Sequence, residues 1–198
     1  LGVPNTEFVF MRPDIIAITG GIAAIVSFPL IKKAAYQSDN SLLFDFLALK
    51  SINKTTLTKV LLAGFGYYLF GLVASYVFSI DTPQFMLDLK SQTNSTFDML
   101  MLVLGVCIVA PIIEEIIFRG LAYSRLIRSR AGITGTIIIT SLVFTIIHTQ
   151  YDTIVLVSLL PSAFLLGYVR YRTGNLAYCI ALHMQLNVLS TIELFAFL

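Results

Sequence analysis

Six residues in this chain have the types and spacing to do chemistry. Glu114 and Glu115 are adjacent carboxylates, with Arg119 four residues beyond Glu115. His148 and His183 are the two histidines of the chain, and Asn187 lies four residues after His183. Glu115 and Arg119 share a helix face at that spacing and can pair. Glu114 is rotated by roughly 100° from its neighbour and is free to face another element. His183 and Asn187 point the same way for the same reason. A carboxylate positioned near imidazoles and an amide can remove a proton from water and donate hydrogen bonds to a developing oxyanion, as amide hydrolysis requires. Pro111 removes a helical hydrogen bond one turn before the carboxylates and is expected to kink the helix and open a cavity there.

These groups sit in a very apolar chain. Of 198 residues 57% are hydrophobic and 12% charged, and the mean hydropathy is +0.87. A soluble domain carries about 25% charged residues, so this is an integral membrane protein. In that setting each ionised group near the bilayer centre costs roughly 2.5–3.5 kcal/mol, and such groups read first as a functional site and second as a structural ion pair. The net charge of +2, without a Lys/Arg run, gives no support for nucleic-acid binding. Cys107 and Cys179 lie inside apolar segments and read as small buried hydrophobes, with no adjacent base to activate a thiol. Neither a Gly-x-Ser-x-Gly nor a His-Glu-x-x-His motif occurs, which argues against a serine hydrolase or a zincin.

The elements that must position the six residues are transmembrane helices. A span needs about twenty mostly apolar residues, and six stretches are candidates: residues 15–35, 60–80, 97–118, 133–148, 154–169 and 176–198. The expected fold is all-α, a polytopic transmembrane helical bundle of about six spans. It is a single membrane domain over residues 1–198, with residues 97–198 as the part carrying the polar groups. Residues 42–50 are too short to span and read as an interfacial amphipathic helix. Residues 81–96 form a polar connection, with Pro83 breaking any helix near its start. Gly20, Gly21, Gly64, Gly66, Gly71 and Gly167 suit close helix approach.

Basic residues orient the bundle. Eleven of the thirteen Lys and Arg fall in or beside the connections at residues 36–59, 119–130 and 170–175; Arg12 and Lys90 lie on the other side. The positive-inside rule places those three connections in the cytoplasm, and a further span upstream of Leu1 would leave that orientation unchanged. No signal-peptide pattern is read at the start. If residues 97–128 and 133–148 form an antiparallel hairpin projecting about two turns into the cytoplasm, Glu114 and His148 lie at one depth. His183 then converges with them in the cytoplasmic half.

Glu114-Glu115-x-x-x-Arg119, Phe144-x-x-x-His148 and His183-x-x-x-Asn187, in that order and spacing, resemble the three motifs of the CAAX protease and bacteriocin-processing (Abi, CPBP) family. The stretch from Gly167 to Leu176 resembles the glycine-and-arginine turn that precedes the family's last motif. The resemblance implies an intramembrane endopeptidase of the CAAX prenyl-protease or bacteriocin-processing type, acting without a metal on a peptide or lipidated-protein substrate in the lipid bilayer. It implies Glu114 as the base that activates water, assisted by His148. His183 and Asn187 would bind the oxyanion, and Arg119 would hold Glu115. The compact length points to a bacterial inner membrane, with the active site open towards the cytoplasmic half. Two other readings stand beside it. Glu114, His148 and His183 form a possible zinc ligand set, and the polar cluster could instead hold together a non-catalytic immunity or scaffold protein.

Overall fold

The computed structural model describes residues 11–39, 43–149 and 151–197; residues 40–42, which include the start of the expected interfacial helix, and Leu198 lie outside the described residues. The described residues form helices: α1 (Pro13–Asp39), α2 (Leu43–Leu47), α3 (Lys54–Phe78), α4 (Gln84–Ser91), α5 (Thr96–Leu126), α6 (Gly132–Ile146), α7 (Thr153–Thr173) and α8 (Leu176–Ala196). Five of them contain stretches long and apolar enough to cross a membrane: Pro13–Ala34, Lys54–Phe78, Thr96–Leu126, Thr153–Thr173 and Leu176–Ala196. The fold is therefore an all-α, multi-span membrane bundle. The stretch at residues 133–148, expected as a further span, forms the 15-residue α6 and ends at Ile146. At 1.5 Å per residue α6 is about 22 Å long, short of a hydrocarbon core of about 30 Å.

The side chains are arranged for lipid. Ile25, Phe70, Tyr76 and Ile146 are among many large apolar residues on the outer surface, and Tyr76 is 88% exposed. Polar Thr136, Thr140 and Ser141 are buried inside. A water-soluble chain of this size would not leave an apolar surface so continuous.

Local sequence sets the helix ends. Asn53, Asp152 and Asn175 each accept a backbone N–H two or three residues ahead through the side chain, capping α3, α7 and α8. Ser95 caps α5 by accepting the Asp98 N–H at 3.1 Å, and its own hydroxyl donates to Asp98 Oδ2 at 2.7 Å. Pro83 ends the preceding connection, and α4 starts at the next residue, within the stretch expected to be a plain polar linker. α7 stops at Gly174, whose φ of +57° is a conformation that L side chains rarely adopt.

Asn175 also fastens α8 to the connection before α3. It donates from Nδ2 to the Lys50 and Ser51 carbonyls and accepts the Lys50 N–H, all at 3.2 Å. The Leu176 N–H reaches the Ala48 carbonyl at 2.9 Å, and the Asn53 N–H reaches the Tyr178 hydroxyl at 2.8 Å. α2 is half in and half out, with Phe46 and Leu47 buried and Phe44 and Asp45 exposed.

α3 meets α8 at Gly64, where a Cβ would collide with Leu182 and come within 2.5 Å of Gln185 Oε1. Beyond Gly64 the far half of α3 is mostly exposed, and Tyr68 keeps it joined to α8 by donating to Glu193 Oε2 at 2.9 Å. Gly20 and Gly167 also sit against neighbours, whereas a Cβ on Gly21, Gly66 or Gly71 would meet nothing within 4 Å.

Candidate active site

α5 is not a uniform helix. Two wider π-helical segments, Val103–Val109 and Ile116–Ala122, flank the α-helical Ala110–Glu115. The Ala110 N–H bonds back five residues to Gly105 O, and the Tyr123 N–H reaches Phe118 O. Continuing that register, residue 111 would donate to Val106 O, but proline has no N–H. Asn187 supplies the donor instead, from Nδ2 to Val106 O at 2.8 Å. Around Pro111 the structure shows an exchanged hydrogen bond within a widened helix, and π segments of this kind recur at functional sites.

The adjacent glutamates lie in different surroundings. Glu115 and Arg119 are both fully buried, with Arg119 NH1 2.9 Å from Glu115 Oε1. Arg119 NH2 donates to Ala163 O of α7 at 2.8 Å, and the guanidinium lies 4.6 Å from the Phe144 ring centroid. Arg170 Nε donates to Arg119 O at 2.9 Å, and its guanidinium covers Tyr123 at 4.9 Å. The Glu115–Arg119 pair expected from the sequence is present, and α7 clamps it from two sides.

Glu114 faces the other way, with its side chain 26% exposed. Its Oε2 lies 3.8 Å from His183 Nε2 and 4.0 Å from His148 Nε2. The far nitrogen of each imidazole is already engaged. His148 Nδ1 is 2.6 Å from the Phe144 carbonyl and His183 Nδ1 is 3.0 Å from Glu115 Oε1. Both partners are acceptors, so both Nδ1 atoms carry the proton. In the neutral imidazoles Nε2 is then a lone pair. Two such lone pairs and a carboxylate oxygen converge at distances beyond a direct hydrogen bond. With both imidazoles neutral, the two O–H bonds of one water can bridge two of these three acceptors.

A cation is the other species that suits three acceptors. A tetrahedral zinc site with bonds of about 2.0–2.1 Å sets its ligands about 3.3 Å apart. The measured 3.8 and 4.0 Å are wider, and no group of three His, Cys, Asp or Glu among the described residues is arranged to hold a metal ion. The residues do not fit zinc as they stand.

The structure therefore brings together Glu114, Glu115, Arg119, His148 and His183, with Asn187 one turn further along α8. Gln185 is turned away, donating from Nε2 to Leu61 O of α3 at 3.0 Å. Glu193 pairs with Tyr68, whose hydroxyl donates to Oε2 at 2.9 Å. Sequence reasoning missed the supports: Arg170, the Ala163 carbonyl, and Tyr151, which stacks on His148. Arg170 sits in the recognised turn, but its backbone acceptor leaves no mark in the sequence.

A cavity of about 370 Å³ between α3, α7 and α8 reaches the site, with Phe144, Tyr151, His183 and Asn187 in its wall. It continues to Asp81, Met86 and Glu193, at the ends of α3 and α8 remote from the basic connections. The contact at Gly64 and the Asn175 bonds tie α3 and the connection before it to α8 towards the basic end.

Residues 96–189 match the family model described as type II CAAX prenyl endopeptidase Rce1-like. No curated protein and no solved structure matches the chain.

Proposed function

We propose that this chain, whose residues 96–189 belong to the Rce1-like family of type II CAAX prenyl endopeptidases, is an intramembrane endopeptidase that hydrolyses a peptide bond with water activated by Glu114. The observation that carries the reading is the convergence of Glu114 Oε2 with the two imidazole Nε2 atoms at 3.8 and 4.0 Å. A water there donates one proton towards Glu114 and the other towards a histidine, leaving an oxygen lone pair for attack. Glu114 takes the proton as the new C–O bond forms. The second Nδ2 hydrogen of Asn187 and an Nε2–H of His183, its proton taken from solvent before attack, donate to the carbonyl oxygen as it becomes negative. Glu115 stands behind His183 as the acceptor for its Nδ1–H. The C–N bond then breaks, and the proton held by Glu114 passes to the leaving amine, with His148 in line to assist.

In this reading Arg119 holds Glu115 in place, which divides the glutamates into one structural and one reacting group. The chain acts as a single membrane domain with residues 97–198 as its protease core. Its basic connections face the cytoplasm of a bacterial inner membrane, and its substrate is a peptide or lipidated protein. α6 with its following turn makes the sixth crossing.

The test is purified protein in nanodiscs, with substrates found by mass spectrometry of membrane peptides from cells with and without it. Glu114→Gln, nearly isosteric, should lower kcat/KM by about 10²- to 10⁴-fold. Retained cleavage would remove Glu114 from the role, and a retained cellular phenotype would favour the non-catalytic reading. The separations of 3.8 and 4.0 Å do not fit zinc held by Glu114, His148 and His183; stoichiometric zinc, with activity lost to a chelator and restored by zinc, would overturn the metal-free reading.

A further inference from the structure

His148 lies just beyond the end of α6, its N–H donating to Thr145 O at 3.1 Å in a closing turn. Two groups from its own helix hold the imidazole: the Phe144 carbonyl at Nδ1, and the Phe144 ring, tilted at 46° with centroids 4.7 Å apart. The chain then turns back, and the Tyr151 N–H donates to His148 O at 3.1 Å. This places the Tyr151 ring parallel to the imidazole, 5° between planes and 6.2 Å between centroids, an offset stack.

Tyr151 is itself held from behind. Phe85 of α4 meets its ring edge-on at 5.6 Å and 82°, and its hydroxyl lies 3.9 Å from Met86 Sδ. α4 is anchored by buried Leu89 and by Lys90 Nζ, which donates to Leu194 O of α8 at 3.0 Å.

We propose that Tyr151 is a positioning residue for His148: its ring, wedged by Phe85 and Met86 of α4, holds the imidazole with Nε2 towards Glu114. The short helix between α3 and α5, a plain connection in the sequence, thereby becomes the outer support of the site. This deepens the peptidase reading, and only its kinetic test rests on that reading.

The experiment uses the whole chain in nanodiscs with ¹⁵N-labelled histidine. The chain has two histidines, so a His183→Gln sample assigns the imidazole resonances. Tyr151→Ala should shift and broaden the His148 signals and leave those of His183 in place, whereas Tyr151→Phe should leave both unchanged. In turnover, Tyr151→Ala should lower kcat by about 10- to 100-fold with KM within about threefold, and Tyr151→Phe should stay within about threefold of the parent. Unmoved His148 signals in Tyr151→Ala, or a Tyr151→Phe protein that behaves like it, would overturn the proposal. If Tyr151→Ala does not fold, Phe85→Ala decides: a smaller His148 shift in the same sense supports the wedge, and no shift sinks it. A parent that shows the expected imidazole shifts but cleaves nothing would count against the peptidase reading alone.

Discussion

Replacing Arg119 by methionine should be among the most damaging single changes in the bundle. Arg119 and Glu115 are completely sealed, with NH1 and Oε1 2.9 Å apart. Removing one member of a buried pair leaves the other charge uncompensated, at about 3–5 kcal/mol. Glu115 keeps the His183 Nδ1–H at 3.0 Å, which places the loss near the lower end. The Arg119 bond to Ala163 O disappears as well, adding about 1 kcal/mol. The expected loss is about 4 kcal/mol, against a total stability of about 5–15 kcal/mol for a typical protein. Glu115→Gln together with Arg119→Met strands no charge, and the carbonyl oxygen of the new amide can still accept from His183. This double variant should recover at least about 2 kcal/mol of the Arg119→Met loss. Arg119→Lys should lose about 1.5–3 kcal/mol, because a single nitrogen does not serve both Glu115 and Ala163. Reversible unfolding by SDS in mixed micelles, followed by circular dichroism, measures all three. A double variant no more stable than Arg119→Met would refute the stranded-charge argument.

Other outcomes follow from the packing. Gly64→Val should cost at least about 1–3 kcal/mol, because its Cβ alone would collide with Leu182 and Gln185; a wild-type melting temperature in detergent would contradict the close approach of α3 and α8. Asn175→Ala loses the cap on Ala177 N–H and its bonds to Lys50 and Ser51. It should therefore destabilise by about 1–2 kcal/mol or more and speed hydrogen exchange at residues 48–53. Asn187→Leu strips Val106 O of its side-chain donor, costing about 1–3 kcal/mol. Asn187→Asp should be worse, since it sets an acceptor against an acceptor; equal thermal stability of the Asn187→Asp and parent proteins would exclude the Asn187–Val106 bond.

The parts of the site legible in the sequence are those fixed by helical spacing. Glu115 and Arg119 meet because they are four apart, and Glu114 diverges because it is one residue removed. The approach of Glu114 and His148 also followed from counting residues on either side of the turn at Ala131. What was not legible depends on backbone acceptors and on helix phase. Asn187 answers Val106 O because α5 widens and Pro111 lacks an N–H, and neither circumstance leaves a periodic mark. α4 escaped notice because Gln84–Ser91 is short and polar, and its contribution is made by Phe85 and Met86 through a tyrosine sixty-odd residues away.

The partners of the buried Arg119 also impose an order on biosynthesis. Glu115 is available at once, within the same helix, but Ala163 lies 44 residues downstream of Arg119, and His183 lies 68 downstream of Glu115. At about 5–20 residues per second, α5 emerges from the ribosome roughly 3–14 s before the imidazole that completes its ion network. During that interval α5, though the most apolar of the five candidate spans, carries its Glu115–Arg119 pair without the downstream carbonyl and imidazole. A nascent chain halted before α8 should therefore be held by the insertion machinery rather than released into lipid, and synthesis of the last helix would be the step that commits the protein to the bilayer.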